Sequence, residues 1–248
     1  MRKGEPHAEA HAVAAAGPLA AGGTAVVTLE PCNHIGVTPA CRQLLLGAGI
    51  VRVVIALRDP TSRGDGGIAV LRAAGVDVEV GVLAEEARLV LGPWLVATER
   101  GRPWVTWHYG LADREASPAA SVDDLRRAAD VVVSPDGAVE EGVPGGHGPD
   151  RLHYRRGVRS GAGVDVLEEL FLGGCRRVLV LGDTVFVRDL LSAGAIDEVA
   201  IDVPHPTTTS TRCSSDQATL PSGFVITVVR PGKDGVRLVG RPAATPPG

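Results

Sequence analysis

Apolar residues along the first ninety positions come in short blocks that switch between two periods. The alanine-rich run His7 to Ala16 has high helix propensity and stops at Gly17-Pro18. Ala25 to Leu29 is a brief β-branched run that predicts a buried strand. Ala40 to Gly47 returns to helical spacing with Leu44, Leu45 and Leu46 inward, and Ile50 to Ala56 predicts the next strand, ended by Arg58-Asp59-Pro60. Ile68 to Ala74 predicts a short helix closed by Gly75, Val76 to Val82 alternates like an outer strand, and Leu83 to Leu91 is helical again. Strands and helices that take turns in this way imply a layered α/β sheet with helices packed on it.

Gly92-Pro93 predicts a helix break, which makes residues 1–92 one domain and 93–103 a linker with a turn at Arg100-Gly101-Arg102-Pro103. A second domain, residues 104–240, opens with a strand at Trp104 to Trp107. Helices are expected over Asp124 to Ala129, Asp165 to Leu172 and Val185 to Ala193. Strands are expected over Val131 to Val133, Arg177 to Leu181 and Ile196 to Val203, with Gly223 to Val229 and Gly235 to Leu238 as a closing hairpin. Glu140 to Gly163 is rich in glycine, proline and arginine and has no periodic apolar face, so it predicts a flexible loop. Its Arg151, Arg155, Arg156 and Arg159 suit a solvated charge run better than a phosphate grip, and His147 and His153 carry no role. The proline-bearing tail 241–248 is expected to be disordered.

Composition narrows the partners. A chain of 248 residues, 44% hydrophobic, can bury a substantial core. The net charge of −4 and the pI near 6.0 leave no basic footprint, and 3% aromatics offer few stacking platforms, so nucleic acid is not an expected partner. No apolar run approaches the roughly 20 residues of a membrane helix. Residues 1–20 lack the basic start and unbroken apolar core of a signal peptide. These features predict a cytoplasmic protein acting on a small free molecule, with no membrane partner. Four cysteines in a reducing compartment suit metal ligation or buried thiols rather than disulfides. Cys175 and Cys213 show no metal spacing and are expected to be inert buried thiols.

Candidate chemistry concentrates between His7 and Cys41. His7-Ala8-Glu9 is followed by Pro31-Cys32 and by Cys41 nine positions on. One imidazole and two thiolates can hold Zn2+ at three corners of a tetrahedron and leave the fourth to a water. Glu9, two residues past His7 on an opening helical turn, can then shuttle a proton to a ring nitrogen and a leaving amine. His-x-Glu followed by Pro-Cys and a second Cys is the arrangement of zinc nucleobase deaminases. Cys41 is expected on the first turn of a helix, where backbone amides favour a thiolate. His11, four residues after His7, is expected to be a helix histidine packed near the core rather than a ligand.

These residues also carry a resemblance. His7-Ala8-Glu9-Ala10-His11-Ala12, Thr28-Leu29-Glu30-Pro31-Cys32-Asn33-His34, Gly36, Thr38-Pro39, Cys41, Arg58-Asp59-Pro60 and Gly66-Gly67-Ile68 resemble the deaminase domain of the bifunctional riboflavin-biosynthesis deaminase/reductases. The eight residues between the cysteines point to this branch of the cytidine-deaminase superfamily, most of whose members keep two there. The resemblance implies a cytidine-deaminase-like layered sheet with flanking helices. It also implies removal of an amine from a pyrimidine carrying a ribosylamino phosphate, with His34 in the loop that receives substrate. A homo-oligomer is expected as well. Val37 stands where the family usually has a lysine near the substrate phosphate, and loss of that cation would remove a charge-assisted hydrogen bond. The family's domain opens with a helix and two strands before the His-Ala-Glu helix. This chain begins at that helix, and a sheet without those strands is expected to show a raw edge.

Arg102-Pro103-Trp104-Val105-Thr106 resembles the start of the family's second domain, a dihydrofolate-reductase-like α/β domain that uses NADPH. The site residues of that domain depart from the family pattern. His108 to Asp113 replaces a lysine followed by Ser-Leu-Asp-Gly, Ser134-Pro135-Asp136 replaces a glycine-bearing loop, and Leu181-Gly182-Asp183 replaces Glu-Gly-Gly. A degenerate reductase with doubtful NADPH binding is expected, with Asp183 a helix cap rather than a substitute acid. Two other readings remain open: a non-catalytic protein with structural zinc and a dimerising second domain, and a deaminase of another amino-heterocycle in specialised metabolism.

Overall fold

A computed structural model of the chain describes residues 6–33, 39–62, 66–111, 122–144, 163–204, 220–232 and 235–243. His34, Val37, His147, His153, Cys213, the arginines between 151 and 159 and the end of the tail lie outside the described residues. The chain divides into two compact units, Met1–Glu99 and Arg100–Gly248.

In the first unit three parallel strands, β1 (Thr24–Leu29), β2 (Arg52–Leu57) and β3 (Asp77–Val80), lie in the order β1-β2-β3. Four helices accompany them: α1 (Ala8–Ala16), α2 (Cys41–Gly47), α3 (Gly66–Ala73) and α4 (Ala84–Arg100). The core sits on the central strand, where Val53 and Ile55 pack with Leu45, Ile68 and Leu71. Of the three leucines expected inward on α2, Leu45 alone is fully buried, because three successive residues cannot share one face of a helix. Among the described residues β1 lies at an edge of this sheet, and Val26 on it is 77% exposed. α1 stops at Gly17-Pro18 as expected: Gly17 caps it at φ +53°, outside helical conformation, and a short 3₁₀ turn over Gly17–Ala20 follows with proline in its first positions.

The expected linker 93–103 is contradicted over most of its length. Helix α4 runs unbroken from Ala84 to Arg100 with Pro93 inside it. Proline in a helix interior costs about 3 kcal/mol. Burial on both sides of it opposes that cost: Ala87 and Leu95 are buried against Ala56 and Leu57, and Leu91 and Trp94 are half-buried in the same cluster. Packing of one apolar face therefore overrides the local signal of Gly92-Pro93.

The second unit is built on a seven-stranded sheet in the order β6-β5-β7-β4-β8-β10-β9. Its strands are β4 (Trp104–Gly110), β5 (Val131–Val133), β6 (Val139–Glu141), β7 (Arg177–Leu181), β8 (Glu198–Pro204), β9 (Phe224–Pro231) and β10 (Gly235–Pro242). β5, β7, β4 and β8 run parallel, and antiparallel strands complete both edges. The helices are α5 (Asp123–Ala128), α6 (Gly163–Leu172) and α7 (Val185–Ser192). Every predicted strand and helix of this half is present, and β6 is an addition at the start of the segment expected to be a loop. Ser134-Pro135-Asp136-Gly137 is the turn of the β5–β6 hairpin, closed by Gly137 N–H to Ser134 O at 2.9 Å. Asp183 is not the cap expected of it. Thr184 caps α7, its hydroxyl accepting from Val187 N–H at 3.2 Å, while Asp183 faces Arg188 at 3.5 Å.

Central strand β4 sends Val105, Trp107 and Tyr109 into the main core, where the two rings meet at 4.4 Å. From the other face His108, fully buried, meets Asp202 of β8 through Nε2 at 3.0 Å. Arg237 of β10 donates to the same carboxylate from Nε at 2.7 Å, and to Asp124 from Nη1 at 2.8 Å. Burial pushes the Asp202 carboxyl up, but hydrogen bonds from His108 and Arg237 outweigh it and hold the group well below the usual carboxylate range. A carboxyl depressed in this way contributes stability that is complete above its unfolded value, about 3.9, and is lost as pH falls below it. The second unit should therefore lose stability steeply below about pH 4. Asp202→Asn should cost roughly 3 kcal/mol at pH 7 by removing the carboxylate that Arg237 and His108 share, which leaves Arg237 with Asp124, and flatten that acid limb, as read from hydrogen exchange of the β4 and β8 amides. An unchanged acid limb in the variant would contradict the assignment.

Candidate metal centre

Three separate elements of the first unit end at one point. His7 is the N-cap of α1, in extended conformation with no capping hydrogen bond from its side chain. β1 leads directly into Glu30-Pro31-Cys32, and Cys41 is the first residue of α2. His7 Nδ1 lies 3.2 Å from Cys41 Sγ, and the backbone N–H of Cys41 donates to Cys32 Sγ at 3.2 Å. A donor atom from each of His7, Cys32 and Cys41 lies within 4.8 Å of the others, and this is the one such histidine, cysteine or carboxylate group among the described residues. Ligand atoms around a tetrahedral zinc with bonds near 2.0–2.3 Å stand about 3.5 Å apart, so the set fits Zn2+ with small adjustments.

The electrostatics point the same way. Burial pushes the Cys41 thiol well above its ordinary value, and the Glu9 carboxylate and Cys32 push it further. The expectation of a helix-favoured thiolate is corrected here. The first amide of α2 serves Cys32 instead, and the buried Cys41 thiol beside the Glu9 carboxylate stays neutral unless a cation offsets its charge. Glu9, in the first turn of α1, is half-buried and near enough to hydrogen-bond the Cys41 thiol without joining the three donors. His11 is exposed and outside the group, so neither ligation nor core packing describes it.

Contacts that the sequence reading did not assign hold the arms. Arg42 Nε donates to Asn33 Oδ1, which links the residue after each cysteine to the other's neighbour. A groove of about 1040 Å³ runs from His7, Glu9 and Cys32 along β1 and past Leu91 and Trp94, so the donor set opens onto space large enough for a small heterocycle. Loss of one thiolate should show directly in metal content. Cys32→Ser is expected to weaken Zn2+ binding at least a hundredfold, whereas Cys175→Ser, at a buried position in the other unit, should retain one zinc per chain in chelator competition. Equal zinc retention by both variants would contradict the centre.

Residues 2–57 match the family model of the cytidine and deoxycytidylate deaminase zinc-binding region. The riboflavin biosynthesis protein RibD of Mycobacterium tuberculosis is 46% identical over 120 residues, which cover 47% of this chain and 35% of that protein. RibD of Escherichia coli is 44% identical over 113 residues, 45% of this chain and 31% of that protein. The matched segment thus spans about a third of these relatives. Among solved structures, the Thermotoga maritima diaminohydroxyphosphoribosylaminopyrimidine deaminase/5-amino-6-(5-phosphoribosylamino)uracil reductase aligns with a TM-score of 0.70 at 20% identity, covering 97% of this chain and 86% of that one. Acinetobacter baumannii RibD gives 0.73 at 22% identity over the same shares. The fold is therefore that of a deaminase domain joined to a reductase-like domain, and the chain, through the sequence of its first half, resembles the RibD riboflavin-biosynthesis deaminase/reductases.

Proposed function

We propose that this chain is a zinc-dependent hydrolase that deaminates an aminopyrimidine of the ribosylamino phosphate type in riboflavin biosynthesis. The observation that carries the reading is the convergence of His7, Cys32 and Cys41 within 4.8 Å, with Glu9 beside them. His7 through Nδ1 and the two sulfurs would hold the ion. When bound, zinc supplies a water acidic enough to attack at neutral pH. Glu9 is the proton carrier: its carboxylate would take one proton from the attacking water and pass it to the ring nitrogen, then take that water's second proton, now on the hydroxyl of the ring carbon, and pass it to the departing amine. The groove along β1 receives the ring, and His34, expected in the substrate loop, is the first candidate for contact with it.

The protein is further read as cytoplasmic and homo-oligomeric. Among the described residues no helix is long and apolar enough to cross a membrane. The second unit is read as having lost the reductase step. His108, at the position of the family's lysine, is engaged with Asp202, Trp107 Nε1 donates to Gly182 O at 2.8 Å, and Pro135 lacks the amide donor that another residue in its turn could offer a phosphate. These departures support the reading that NADPH binding is doubtful.

Val37, in place of a lysine, favours a second reading in which the substrate lacks the phosphate. Ammonia release from phosphorylated and unphosphorylated aminopyrimidines separates the two. Glu9→Gln should lower turnover by about a thousandfold while keeping one zinc per chain; retained turnover would remove Glu9 from the mechanism. NADPH titration should leave its fluorescence unchanged, and saturable binding would restore the reductase reading.

A further inference from the structure

The carboxylate two residues before Cys32 is buried and has no part in the metal group. Glu30 is 6% exposed, and both of its oxygens accept from backbone amides. Oε1 takes Ile68 N–H at 3.0 Å and Oε2 takes Asp59 N–H at 3.2 Å, while its own N–H donates to Leu57 O at 2.8 Å. One side chain at the end of β1 thus seizes the loop after β2 and the first turn of α3.

The glycine pair that opens α3 exists to allow this. A Cβ at Gly66, where φ is +77°, would stand 2.6 Å from Glu30 Oε1. A Cβ at Gly67 would stand 2.0 Å from Pro31 O, nearer than any two such atoms can approach. α3 therefore packs directly on the Glu30-Pro31 backbone, one peptide away from Cys32.

We propose that Glu30 is a positioning residue for Cys32: a two-pronged clamp that fixes the Pro31-Cys32 arm against α3 and so sets the geometry of the metal centre. The inference rests on the zinc reading above. It explains the choice of a carboxylate at a buried position. Glutamine offers one acceptor where two donors point, so one prong must fail, and alanine loses both. Because coupling between sites is reciprocal, a clamp that favours metal binding is itself tightened by the metal.

The test uses the full chain with Zn2+ and Co2+ alone. In variants that keep the wild-type far-ultraviolet circular dichroism, Glu30→Gln should weaken Zn2+ binding about tenfold in chelator competition and shift the visible absorption of the Co2+ form. Glu30→Ala should do so more strongly, and Gly67→Ala should reproduce the spectral shift from the opposite side. Wild-type affinity and spectrum in folded Glu30→Gln would overturn the clamp. A measurement free of any variant stands beside it: Zn2+ loading of the wild type should slow hydrogen exchange at the Ile68 and Asp59 amides severalfold, and equal rates would overturn the proposal. If wild type retains zinc and Cys32→Ser does not, while Glu30→Gln matches wild type, the clamp alone fails. If the wild type takes up no stoichiometric zinc, the zinc reading falls and the clamp with it.

Discussion

Two buried thiols and an imidazole that share one small volume next to a carboxylate form an arrangement the protein alone does not favour. Burial and the neighbouring charge of Glu9 hold the Cys41 sulfur in its protonated form, and a divalent cation reverses that balance. The first unit depends on this constraint. α1 buries none of its residues fully, and Val13 and Ala16 give it only partial contact with the core. Ligation through His7 would therefore be a principal tether of α1, and metal binding and the order of the N-terminal helix become one event.

The same economy governs the approach to the centre. Parallel strands β1 and β2 deliver Glu30-Pro31-Cys32 and Arg58-Asp59-Pro60 to their carboxyl ends, where α/β sheets expose backbone groups for chemistry. Glu30 satisfies two of those amides, and Arg42 with Asn33 joins the residues flanking the cysteines. Ligands, clamp and groove thus lie on one end of one small sheet. In the second unit the polar groups pair among themselves in a chain from His108 Nε2 through Asp202 and Arg237 to Asp124 at the surface.

Much of this was legible in the sequence because it was local. Alternation and helical spacing located almost every element, and His7, Glu9, Cys32 and Cys41 stood out because four chemically capable residues fell in order within one short segment. What escaped depended on packing at a distance. Pro93 reads as a stop, yet the apolar face of Leu91, Trp94 and Leu95 carries α4 through it. Glu30 looks like one more motif residue until Ile68, 38 positions away, is seen to donate to it. The partnership of His108 with Asp202, 94 positions away, leaves no local mark either. β6 was hidden because three residues in a glycine- and proline-rich stretch carry too little periodicity to register.

The central claim is that His7, Cys32 and Cys41 hold one zinc ion. X-ray absorption at the zinc edge of the purified chain tests it without reference to any substrate. The account predicts one zinc per chain with two sulfur neighbours near 2.3 Å and lighter neighbours, nitrogen and oxygen, near 2.0–2.1 Å. A first shell of nitrogen and oxygen alone, a four-sulfur shell, or no bound zinc would contradict it.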